Sequence, residues 1–81
     1  MQVLDVPRTG TNIGVDTNNF GNITNGYGAN AIGVYNSPNG RTYSVFATAE
    51  DGYNAMTDLI KSYQSKFPNA TLQDALGRRV N

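Results

Sequence analysis

Apolar residues in the second half of the chain recur at helical spacing, and those just before them read as strands. Tyr53, Met56, Ile60, Tyr63 and Phe67 follow one another at steps of 3, 4, 3 and 4 residues, which places them on one stripe of an α-helix. Burying such a stripe contributes about 1.5–3 kcal/mol per large side chain before entropy. Lys61, Ser62, Ser65 and Lys66 fall mostly off it, as a solvated face requires. Thr48 is placed to cap this helix, and Asp51 three residues on completes a capping box at the positive end of the helix dipole. Pro68 ends it by disfavouring helical geometry at Phe67. Thr71 and Asp74 repeat the capping logic for a short second helix over 71–76. Its Leu72 and Leu76 are expected to pack back on the first helix, and Gly77 to close it.

Ahead of the helix, 31–35 and 42–47 flank Asn36-Ser37-Pro38-Asn39-Gly40, where Pro38 fixes φ and Gly40 supplies a positive one. A β-hairpin is predicted, with Tyr43 and Val45 on one side of its second strand and Thr42, Ser44 and Phe46 on the other. Residues 8–40 are rich in Asn, Gly and Thr, which favour turns over regular structure. Ile13, Val15, Phe20, Ile23, Tyr27, Ile32, Val34 and Tyr35 recur among them, so an ordered loop with short strands is expected. The whole reads as one small α+β domain. An N-terminal arm (1–17) leads into a loop and hairpin layer (18–47), which packs on a helical part (48–77).

Composition narrows the chemistry. A chain of 81 residues has room for one core and buries only about 60–65% of its unfolded surface. It contains neither Cys nor His, so disulfides, thiolate metal sites and the commonest general base are all excluded. Six basic and six acidic side chains balance to zero, and Arg78-Arg79 is the only adjacent basic pair, so nucleic acid is not an expected partner. No apolar run approaches the ~20 residues of a membrane span. Residues 1–10 carry Asp5 and Pro7 and no signal-type apolar region, so any export is expected to require another route, such as cell lysis or virion assembly. No cofactor is expected.

Catalysis would then rest on carboxylates, and a glycosidase acid needs an apolar pocket to stay protonated. Asp51 and Asp74 read as caps, Glu50 as a first-turn charge, Asp58 as a surface partner of Lys61, and Asp16 as the head of an Asx turn. Asp5, between Leu4 and Val6, has the most apolar neighbours and is the candidate acid. Asn18, Asn19 and Asn22 surround Phe20 with amides that both donate and accept. That suits sugar hydroxyls, and it equally suits tying loop backbone together. Phe20 and nearby tyrosines offer flat apolar faces for sugar rings. Two glycosylation sequons, at 22–24 and 69–71, are short enough to arise by chance. Gly26-Tyr27-Gly28 lacks the strand and helix a nucleotide loop needs.

The segment Asn18-Asn19-Phe20-Gly21-Asn22-Ile23 resembles the Asn-Asn-Pro-Gly-Asn-Ile/Leu motif of virion-associated lytic transglycosylases and related phage muramidase-like domains, with Phe20 where the family has Pro. Gly40-Arg41, Phe46, Glu50 and Gly52, then the two helices, are similar to the family's segments downstream of that motif. The resemblance implies a lysozyme-like fold, reduced or trimmed, in a virion protein that contacts peptidoglycan glycan strands and other virion proteins, with weak or no catalysis. Family members use a glutamate upstream of the asparagine motif, a region in which this chain has Asp5. Asn18, Asn19, Phe20, Asn22 and Tyr43 are the substrate-contacting positions implied. A purely structural capsid or tail part, completed by neighbouring subunits, is the alternative.

Overall fold

The computed structural model describes residues 1–69 and residue 71 of the chain. Its elements run α1 (Ile13–Asp16), β1 (Ala31–Asn36), β2 (Thr42–Phe46) and α2 (Ala49–Lys66), an α+β arrangement. The second helix expected over 71–76 lies, from residue 72 on, outside the described residues.

The hairpin forms where the turn residues place it. β1 and β2 pair antiparallel with Val34 opposite Ser44 and Tyr35 opposite Tyr43, and a bulge falls between Ala31 and Gly33. Gly40 N–H donates to the Ser37 carbonyl at 3.0 Å, Ser37 N–H donates to the Arg41 carbonyl at 2.9 Å, and Gly40 sits at φ 88°. That is a three-residue hairpin loop in which a left-handed residue comes after the turn, and it needs glycine there.

A two-stranded hairpin alone is marginal in water. Here both of its edges are covered by chain without regular strand structure. On the β1 side, Leu4 N–H donates to the Val34 carbonyl at 2.7 Å and Val34 N–H donates to the Gln2 carbonyl at 2.9 Å, with Val3 and Val34 in a parallel bridge. The N-terminal arm is therefore docked through its backbone, and Val6 behind it is buried. On the β2 side the asparagine loop fills the same role. Covered on both edges and both faces, β2 buries Tyr43, Ser44, Val45 and Phe46 in succession, not the alternate residues that a half-exposed strand would bury. Among the described residues the Ser44 hydroxyl has no hydrogen-bond partner.

Residues 8–40, expected as ordered loop with short strands, hold β1, the isolated Thr24–Tyr43 bridge and one turn of helix, α1, that was not expected. Asn12 caps it, its side-chain oxygen accepting from Val15 N–H at 3.0 Å.

α2 starts as its sequence dictates, with Asp51 N–H donating to the Thr48 hydroxyl at 3.1 Å, and ends at Phe67. Its buried face differs from the expected stripe. Gly52 and Ala55 are buried, Ala55 joins Ile23 and Phe46 in the core, and Leu59 packs against that cluster. Tyr53 and Phe67 are exposed instead. Met56, Ile60 and Tyr63 of that stripe are half-buried, and small residues take the positions where the helix comes closest to the loop.

Candidate functional site

The loop from 17 to 25 runs along the open edge of β2 and satisfies it bond by bond. Phe46 N–H donates to the Thr17 carbonyl at 3.0 Å, and the Asn18 amide returns a bond to the Phe46 carbonyl at 3.0 Å. Ser44 N–H donates to the Ile23 carbonyl at 2.9 Å, the Asn19 amide donates to the Ser44 carbonyl at 2.9 Å, and Asn25 N–H donates to the Thr42 carbonyl at 2.9 Å. The asparagine content results from this geometry. Asn18, Asn22 and Asn25 stand at φ 56°, 52° and 60°, a left-handed region that asparagine tolerates better than most side chains. Asn19, only 1% exposed, also donates to the Ile23 carbonyl at 2.6 Å and accepts from Ile23 N–H at 2.8 Å.

Beside this loop opens a groove of about 380 Å³, lined by Asn12, Ile13, Gly14, Val15, Phe20, Asn22 and Tyr43. That volume is at the small end of ligand sites, room for one or two rings. Tyr43 is fixed by burial and by Asn39, whose amide donates to its hydroxyl at 3.2 Å. Phe20 is held by Tyr53 of α2, the two rings stacked at 4.3 Å between centroids and 8° between planes. Such a pair adds about 0.5–1.5 kcal/mol beyond its area. Three of the residues named from the sequence, Phe20, Asn22 and Tyr43, thus meet in the groove. Asn18 and Asn19 turn their amides into the protein, toward β2. Asp5 is exposed on the N-terminal arm and does not line the groove. The opposite wall, Asn12 to Val15, carried one readable signal: an asparagine placed to cap a helix at Ile13.

Among the described residues no carboxylate lines the groove, and no group of three acidic side chains is placed to hold a metal ion. No helix among them is long and apolar enough to cross a membrane.

The nearest carboxylate to the α1 wall is Asp16, and it works as a latch. It accepts from the Thr9 hydroxyl at 2.6 Å, Arg8 Nε at 2.7 Å, and the Thr9 N–H and Thr11 hydroxyl at 3.2 Å each. It does not head an Asx turn. Polar groups cap it at short range, leaving 1% of the side chain exposed, without sinking it in apolar core. The Thr9 hydroxyl first, then Arg8, hold the Asp16 carboxyl well below the usual carboxylate range, while hydrogen bonds to Asp16 and Tyr35 raise the Arg8 guanidinium. A depressed folded pKa adds stability above the unfolded value, close to 3.8, which is lost as pH falls below it toward the folded value. Asp16→Asn is therefore expected to destabilise the protein at pH 7 and to flatten its loss of stability below about pH 4. Urea midpoints for both proteins at pH 7 and pH 3 test this, and an equal deficit at the two values would refute it.

Comparison with family models, curated proteins and solved structures finds no match to this chain.

Proposed function

We propose that this chain is a glycan-contacting module without hydrolytic activity, carried in a virion, with peptidoglycan strands as its ligand. The observation that carries the reading is the lining of the groove: Asn12 and Asn22, the aromatic residues Phe20 and Tyr43, and Ile13, Gly14 and Val15, with no carboxylate among the described residues. Amides pair with sugar hydroxyls in both directions, and ring faces cover the apolar faces of sugars. Protonating a glycosidic oxygen needs an acid at the site, and Asp5 lies elsewhere. The motif resemblance directs the choice of glycan to cell wall.

Asn22→Gly is the informative variant, because glycine keeps the positive φ of residue 22 and removes only the amide. Co-sedimentation with purified cell walls is expected for the unaltered protein and weaker by about tenfold for the variant, the worth of one or two hydrogen bonds. Turbidity of the wall suspension is expected to stay constant. Failure of the unaltered protein to sediment with walls would remove the reading. Clearance abolished by Asp5→Asn would make the protein an enzyme instead.

The structural-component alternative is favoured by one feature, the large exposed side chains of Val3, Tyr27, Ile32 and Phe67. It predicts self-association in the ultracentrifuge with no affinity for walls.

A further inference from the structure

We propose that Asn25 is a site of spontaneous deamidation, and that Asn39, which has the same glycine neighbour, is protected by its place in the hairpin loop. The chain contains two Asn-Gly pairs, Asn25-Gly26 and Asn39-Gly40. By sequence the two are equivalent, since glycine has no Cβ to obstruct attack by its own nitrogen. The backbone nitrogen of the glycine loses its proton to water and bonds to the asparagine Cγ. The Cγ–N bond breaks and ammonia departs, leaving a five-membered succinimide. Water then adds to either ring carbonyl and opens the ring to aspartate or isoaspartate. Water is the only co-reactant.

The structure separates the pairs by their registers within their turns. Asn39 and Gly40 are the third and fourth residues of the turn that begins at Ser37. The attacking nitrogen, Gly40 N, is the closing donor, bonded to the Ser37 carbonyl at 3.0 Å. The Asn39 side chain is held at both ends, its oxygen accepting from Arg41 N–H at 2.9 Å and its amide donating to the Tyr43 hydroxyl at 3.2 Å. Asn25 and Gly26 are the second and third residues of a turn closed by Tyr27 N–H donating to the Thr24 carbonyl at 3.2 Å. Both have positive φ, 60° and 79°, as in a type I′ turn, where the third residue's N–H stands outside the closing bond. Among the described residues Gly26 N–H and the Asn25 side chain have no hydrogen-bond partner, and Asn25 is exposed.

The position has a structural consequence. Asn25 N–H to the Thr42 carbonyl is the last bond by which the loop covers the β2 edge. An isoaspartyl product adds one carbon to the backbone at this point, so that bond and the Thr24–Tyr27 turn no longer fit together.

The test is to incubate the full folded chain in mildly alkaline buffer, with a parallel sample in urea, and to map amide-to-acid conversion at both sites by mass spectrometry. In the folded sample, conversion at Asn25 is expected to outrun Asn39 by about tenfold or more, the cost of first releasing Gly40 and the Asn39 side chain. In urea the two rates are expected to converge. Equal rates in the folded chain, a faster Asn39, or an Asn25 that converts only in urea would each overturn the proposal.

Discussion

Replacing Asn19 with Ala is expected to lower stability by about 3–5 kcal/mol, a large part of the roughly 4–12 kcal/mol available to a chain of this size. The side chain is 1% exposed and makes three hydrogen bonds, two as donor and one as acceptor. Each intramolecular bond is worth about 1 kcal/mol net, and a buried group left unpaired costs about 1–3 kcal/mol more. Truncation strands the Ile23 N–H and the Ser44 carbonyl together, and the Ile23 carbonyl loses a donor as well. Asn19→Asp separates size from chemistry: it preserves volume and the acceptor but turns a carboxylate oxygen toward two carbonyls, so it is expected to be at least as harmful at pH 7. Urea titration of all three proteins measures this. A loss under about 1 kcal/mol for Ala would mean the amide is not what holds the loop to β2.

Gly52→Ala is expected to destabilise by about 2–3 kcal/mol, opposite in sign to the usual effect of that change inside a helix. At an exposed helical site, alanine gains about 0.5–1 kcal/mol over glycine. At Gly52 an added Cβ lands on the Asn18 carbonyl oxygen, with the carbonyl carbon at 2.9 Å and the Phe20 ring edge at 3.7 Å. Asn18 cannot retreat freely, because its amide is tied to Phe46 and its backbone is held at positive φ. The helix has to move away instead, lifting Ala55 from Phe46 and Tyr53 from Phe20. Thermal unfolding of the variant tests the sign. A raised midpoint would show that α2 does not rest on the asparagine loop.

The same contacts explain why parts of the chain were readable and others were not. The hairpin and the start of α2 are governed by neighbours in sequence: Pro38 and Gly40 set the reversal, and Thr48 caps the amide of Asp51. Their ends fell within a residue or two of expectation. The inner face of α2 was legible in part: Met56, Ile60 and Tyr63 are half-buried as the stripe requires, but periodicity ranks large apolar residues first, whereas the closest approach to Asn18 and Phe46 is made by Gly52 and Ala55. Three of the seven groove residues were legible. Phe20, Asn22 and Tyr43 could be named from their chemistry. The wall from Asn12 to Val15 could not, because it faces them only after the loop has folded along β2.

The asparagine run shows the same division inside one motif. Four asparagines between 18 and 25 look alike in one dimension, each offering a donor and an acceptor. Their roles part according to which carbonyl lies opposite: Phe46 for Asn18, Ser44 and Ile23 for Asn19, the groove for Asn22, and solvent for Asn25.

By itself the sequence determined the local structures, a turn and a capped helix, and an α+β class, because these arise from φ preferences and from hydrogen bonds that span only a few residues. Tertiary structure alone decided that an irregular loop replaces a third strand on β2 and that asparagine, aromatic and aliphatic residues meet in a groove lined by no carboxylate among the described residues. Those outcomes depend on bonds between residues far apart in sequence, such as Asn18 to Phe46 and Asn19 to Ser44, which no local pattern encodes.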